Sequence, residues 1–77
     1  LYPNPAIGSV SLRVNWKQQQ PVSILLHDMQ GRLVRQWYEQ AANTYSLQLH
    51  GIQAGQYILR AANGSEEMTK LLIIANQ

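Results

Sequence analysis

In residues 9–17, "SVSLRVNWK", Val10, Leu12, Val14 and Trp16 fall on one parity, and Ser9, Ser11, Arg13, Asn15 and Lys17 on the other. Successive side chains of a strand point to opposite faces, so this pattern predicts a strand with one buried face. Residues 21–27, "PVSILLH", follow the same rule with Val22, Ile24 and Leu26 inward. Residues 33–38, 45–50, 56–62 and 68–74 are predicted as further strands, being short, apolar and bounded by turn residues. With a short piece at Leu1 and Tyr2, the count is roughly six or seven strands, spaced by about 8–12 residues.

The connectors carry turn chemistry. Pro3-Asn4-Pro5 is a stiff, extended lead-in, since each proline fixes its own φ and biases the preceding residue towards extended backbone. "KQQQP" is polar and ends in Pro21, just before a strand. "ANGSEE" contains Asn63-Gly64, the strongest short hairpin signal. No segment has a capped helical pattern; "YEQAAN" offers at most one turn. Short alternating strands with tight turns predict an all-β fold. The expected form is a small immunoglobulin-like antiparallel β-sandwich of about seven short strands, with a partly open barrel as the alternative.

Length makes this a single domain, residues 1–77, of modest stability: a chain of this size buries roughly 60% of its unfolded surface. Hydrophobic residues at 45% against 13% charged suit a packed core. The net charge of +2 comes from four Arg and two Lys that are scattered, with no basic stripe for nucleic acid. There are no cysteines, so packing alone must hold the fold. The longest apolar run, "LLIIA", has the length of a strand, far short of the ~20 residues that cross a bilayer as a helix. The first residue is not Met, so the chain is expected to be a piece of a longer protein, its C-terminal end.

The most polar cluster is "HDMQGR", residues 27–32. If His27 ends a strand, Asp28 points to the opposite face, which places the pair badly for joint catalysis. Asp28 and Gly31 instead suit the first and fourth positions of a type I turn, with Arg32 able to pair with Asp28. Glu66 and Glu67 are adjacent and expected to diverge or to sit in a hairpin loop, which makes them no acid–base pair. His50 is isolated, and two histidines without cysteine make a closed zinc site implausible. No phosphate loop, calcium loop or nucleophile elbow is present, so the chain reads as no enzyme, with no catalytic, cofactor or metal residues. Asn63-Gly64-Ser65 matches a glycosylation acceptor but suits a hairpin better. Trp16 shares the parity of Leu12 and Val14 and is expected in the core. Trp37 and Tyr38 would serve a sugar-binding platform only if both lay on one solvent-facing surface.

Four stretches in order carry a family resemblance: "LYPNP" with Tyr2, Pro3, Asn4 and Pro5; "SILLHDMQGRLV" with Asp28, Gly31 and Arg32; "LHGIQAGQYILRA" with Gly55 and Tyr57; and "TKLLII" with Lys70, Leu71, Leu72, Ile73 and Ile74. Together they resemble the C-terminal sorting domain, type A, of the type IX secretion system of Gram-negative bacteria. The resemblance spans essentially the whole chain. It implies an immunoglobulin-like β-sandwich that catalyses nothing and labels an N-terminally fused cargo for passage through the periplasm to the cell surface or medium. It further implies, as partners, an outer-membrane translocon or shuttle protein and a sortase-like peptidase that removes the domain, with cargo anchored to lipopolysaccharide or released. Members often end in a basic residue; this chain ends Ala75-Asn76-Gln77, with Lys70 at the start of the last predicted strand, so the terminus matches only in part. The cargo junction is expected before Leu1 or close to it. The final strand, apolar on both parities, is expected to be read by the export machinery and, if at a sheet edge, to pair with the translocon or with a second copy. The alternatives to sorting are a stand-alone carbohydrate-binding or adhesive module and an inert spacer domain.

Overall fold

The computed structural model describes residues 1–75, Asn4 by its backbone alone. Its strands are β1 (Tyr2–Ile7), β2 (Ser9–Arg13), β3 (Val22–Asp28), β4 (Leu33–Glu39), β5 (Thr44–Gln48), β6 (Gly55–Asn63) and β7 (Glu66–Ile74). The ladder runs β4-β3-β6-β7-β1-β2-β5. It divides at β1 into a large sheet, β4-β3-β6-β7 with the end of β1, and a small one, β1-β2-β5. No helix occurs among the described residues.

Alternation builds the core as the sequence predicts. Val10 and Leu12, Val22, Ile24 and Leu26, Tyr45 and Leu47, Leu59 and Ala61, and Leu72 and Ile74 are all buried and form one cluster between the sheets. Each fully buried Leu or Ile contributes about 1.5–3 kcal/mol of transfer free energy. Trp16 and Trp37 pack on the margin of this cluster. β2 ends at Arg13, short of the predicted residue 17, although the Val14 N–H still donates to the Asn43 carbonyl at 2.9 Å.

β1 departs most from expectation. The stretch read as a lead-in is a strand that changes partners. Tyr2 pairs with Ser11 of β2, Ile7 with Ser9, and between them the register slips while Ala6 pairs in parallel with Ile74 of β7. Pro3 and Pro5 donate no ladder bonds, which suits a segment that is leaving one ladder for another. The fold is therefore antiparallel except for the β1–β7 contact.

That contact takes the last strand off the end of the ladder, the condition on which its pairing with a translocon or a second copy depended. β7 lies between β6 and β1, and the Ala75 N–H donates to the Ala6 carbonyl at 2.8 Å. The strand order ends at β4 and β5. Lys70 is placed in the middle of β7, which begins at Glu66 rather than at Met68.

Candidate functional site

The Asp28 turn forms as its residues dictate. The Gly31 N–H donates to the Asp28 carbonyl at 3.0 Å, and the Asp28 N–H to the Arg32 carbonyl at 2.9 Å. Met29, Gln30 and Gly31 thus make a three-residue hairpin loop whose last member, Gly31, has φ +88°. Asp28 Oδ1 accepts from the N–H groups of Gln30 (3.0 Å) and Arg32 (2.9 Å), and Oδ2 from Arg32 Nε at 2.9 Å. The Arg32 N–H foremost, and then its side chain and the Gln30 N–H, hold the Asp28 carboxyl below its usual range against a smaller desolvation effect. Gln30 and Arg32, the residues that donate to this carboxylate, both belong to the turn. His27 pairs instead with Ile58 on the outer face, so the two residues form no dyad.

The ladder brings the separate motifs to one pole. Asp28 pairs with Tyr57, which pairs with Leu72; Gly55 pairs with Ile74, which pairs with Ala6. Tyr57 is buried near the start of β6, and its hydroxyl donates to the Gln53 carbonyl at 2.7 Å. This is the tyrosine corner of immunoglobulin-like sandwiches, built without a disulfide. Gly55 leaves room beside the Tyr57 ring, where a Cβ would sit 3.7 Å from it.

The opposite pole is clasped by residues that sequence reasoning assigned elsewhere. Asn63 pairs with Glu66, so the two loop residues are Gly64 and Ser65, one position later than the Asn63-Gly64 turn predicted. Gly64 has φ +61° and Ser65 does not have a positive φ, the signs of a type II′ turn with glycine first. Asn63 is 0% exposed and its Nδ2 donates to the Gln18 carbonyl at 2.8 Å, which removes it as a glycan acceptor in the folded domain. The Glu66 carboxylate accepts from the N–H groups of Lys17 and Gln18 at 3.0–3.1 Å, while Glu67 points outward, as their divergence predicted.

The motif residues separate by exposure. Asp28, Gly31, Gly55, Tyr57, Leu72 and Ile74 make turns and core. Tyr2, Pro3, Pro5, Arg32, Lys70 and Leu71 are exposed and Ile73 is half-buried. The side chain of Asn4 and the departing terminus Asn76-Gln77 lie outside the described residues. Trp37 pairs with Ile24 and turns inward, whereas Tyr38 pairs with Ser23 and is 70% exposed on the other face. The two cannot form one aromatic platform, which removes the feature that the carbohydrate-binding alternative required.

The outer face of the large sheet is where the sequence holds an unread signal. "ILL" in β3, "YIL" in β6 and "LLII" in β7 interrupt alternation with apolar residues of the wrong parity. The register lines these up: His27, Ile58 and Leu71 form one row, Leu25, Arg60 and Thr69 the next. An open depression of about 340 Å³ beside this stripe is lined by His27, Asp28, Met29, Gly31, Ile58 and Arg60.

Residues 1–75 match the model of the secretion system C-terminal sorting domain. The chain belongs to that family. It is a sorting domain of type IX secretion, the tail by which a cargo protein leaves the cell for its surface or the medium. No curated protein matches the chain. In this sorting domain the fold gathers Asp28, Tyr57, Leu72 and Ile74 at one pole.

Proposed function

We propose that residues 1–77 form one sorting domain that is read in its folded state by the outer-membrane machinery of type IX secretion. The cargo, fused ahead of the domain, reaches the periplasm by its own signal. A translocon or shuttle protein then takes the folded sandwich, and a sortase-like peptidase removes it, with cargo joined to surface lipopolysaccharide or released. The match to the sorting-domain family over residues 1–75 carries this reading. The geometry supports it: β1 runs parallel to β7 with Ala6 beside Ile74, so Leu1 lies back along the sheet, away from the Ile74 end. A cargo ahead of Leu1 leaves the pole of Asp28, Tyr57 and Ile74 open to a receptor.

The test is an export assay. Residues 1–77 are fused behind a periplasm-targeted fluorescent protein in a host with the type IX pathway. The reporter is expected at the surface or in the medium, and in the periplasm when the pathway is disabled; retention in the intact host refutes the reading. Deleting residues 71–77 is a poor discriminator, because it takes Leu72 and Ile74 out of the core. Substitutions at exposed positions separate recognition from folding.

A further inference from the structure

We infer that the outer face of β7, β6 and β3, centred on Ile58 and Leu71, is the surface that docks a protein partner presenting apolar side chains and a carboxylate for Arg60. The inference rests on the sorting reading above and adds to it the contact surface and the chemistry of the partner.

The face is apolar where a solvated sheet surface is ordinarily polar. Leu71 is 47% exposed, and Ile58 and Leu25 lie beside it half-buried. Met29, in the Asp28 turn, extends the apolar surface at 57% exposure. Leu72 and Ile74 are buried on the inner side, whereas Leu71 faces outward and keeps about half of its surface exposed. Apolar residues clustered on an exposed surface mark interaction sites.

Charge specifies the occupant. Arg60 sits in the middle of this face, flanked in the ladder by Leu25 and Thr69 and along its strand by Ile58 and Ala62. The ion pair found among the described residues is Arg32 with Asp28, so Arg60 has no carboxylate of its own. Two acids lie near: Glu67, beside Ala62 towards the far pole, and Asp28, which shares the depression with Arg60 but is paired with Arg32. An exposed guanidinium bordered by Leu25, Ile58 and Ala62 favours a partner carboxylate, which becomes a strong charge-assisted contact once water is excluded.

A second copy fits less well. Docked with Ile58 and Leu71 at its centre, it would set Arg60 against Arg60 or against Gln56. Bringing Arg60 onto the partner's Glu67 would shift the axis to the polar end and leave the Ile58–Leu71 stripe uncovered.

The test uses the export reporter with Arg60→Glu, Arg60→Lys and Leu71→Gln, and Ser46→Glu on the outer face of the small sheet as control. Thermal melts of each purified fusion report folding. Arg60→Glu and Leu71→Gln are expected to cut export roughly ten-fold or more while melting like the parent, with Arg60→Lys intermediate and Ser46→Glu unchanged. Normal export of both Arg60→Glu and Leu71→Gln overturns the inference while leaving the sorting reading intact. Equal loss in Ser46→Glu overturns it as well. Retention of the parent fusion refutes the sorting reading itself. Concentration-dependent dimers of the parent that Leu71→Gln dissolves would assign the face to a second copy. Flotation of the parent, but not of Arg60→Glu, with phosphatidylglycerol vesicles would assign it to lipid; either result overturns a protein partner.

Discussion

The Tyr57 hydroxyl donates a 2.7 Å hydrogen bond to the carbonyl of Gln53, four residues back along the chain. The bond ties the loop between β5 and β6 to a ring buried against Leu72. Tyr57→Phe keeps the ring and removes the bond, at a cost of about 1 kcal/mol. For a domain of this size that lowers Tm by roughly 4–8 °C. Tyr57→Ala also empties the ring's volume and is expected to cost about 3–5 kcal/mol, enough to leave much of the domain unfolded. Thermal melts followed by tryptophan fluorescence separate the two.

Acid sensitivity follows from Asp28. Its carboxyl, ordinarily near 3.8, is held lower in the folded state, chiefly by the Arg32 N–H. A lowered folded value means stability that is present in full above the unfolded value of about 3.9 and is lost as pH falls through the folded one. Asp28→Asn is expected to be less stable than the parent at pH 7, with a gap that narrows below about pH 4. Urea titrations across that range check the sign; a gap that widens in acid would contradict it.

Two hairpins depend on glycine at positive φ. Gly31→Ala, at φ +88°, meets no neighbour and is expected to cost only the backbone strain, about 1–2 kcal/mol. Gly64→Ala, at φ +61°, adds a collision of the new Cβ with the amide of Gln20. Gln20→Ala should relieve that second part alone. A double-mutant cycle measured by denaturant melts is expected to show coupling at Gly64 and none at Gly31.

The far pole rests on Asn63 and Glu66. Glu66→Ala frees the N–H groups of Lys17 and Gln18, and Asn63→Ala leaves the Gln18 carbonyl without its donor. Each is expected to cost roughly 1–3 kcal/mol. Amide exchange at residues 17 and 18 should accelerate in both variants, while exchange at residue 57 stays slow.

Much of this fold is legible because one force dominates it locally. Val22, Ile24 and Leu26 alternate because one face of β3 meets the core, and Asp28 to Gly31 is a turn whose bonds are all internal. β1 is not legible: "YPNPAI" buries only Ala6 among its described side chains and has no ladder of constant register, so no periodicity marks it. Asn63 reads locally as a turn residue, yet its amide is used by a loop 45 residues away. The candidate docking face is written as broken alternation in three strands. Its coherence appears only when the register sets Leu71 beside Ile58 and Ile58 beside His27.

β1 has a mechanical consequence. It is the first strand of the domain, lies parallel to β7 at its end, and is held there by Ala6 against Ile74 and Ala75. Tension between a cargo ahead of Leu1 and a receptor gripping the pole of Asp28, Tyr57 and Ile74 would draw β1 and β7 past each other lengthwise. The contact of Ala6 with Ile74 and Ala75 is then loaded in shear, along the strands, and is not peeled open from a free end. The strand that swaps sheets is thus the one that resists when the label is hauled ahead of its load.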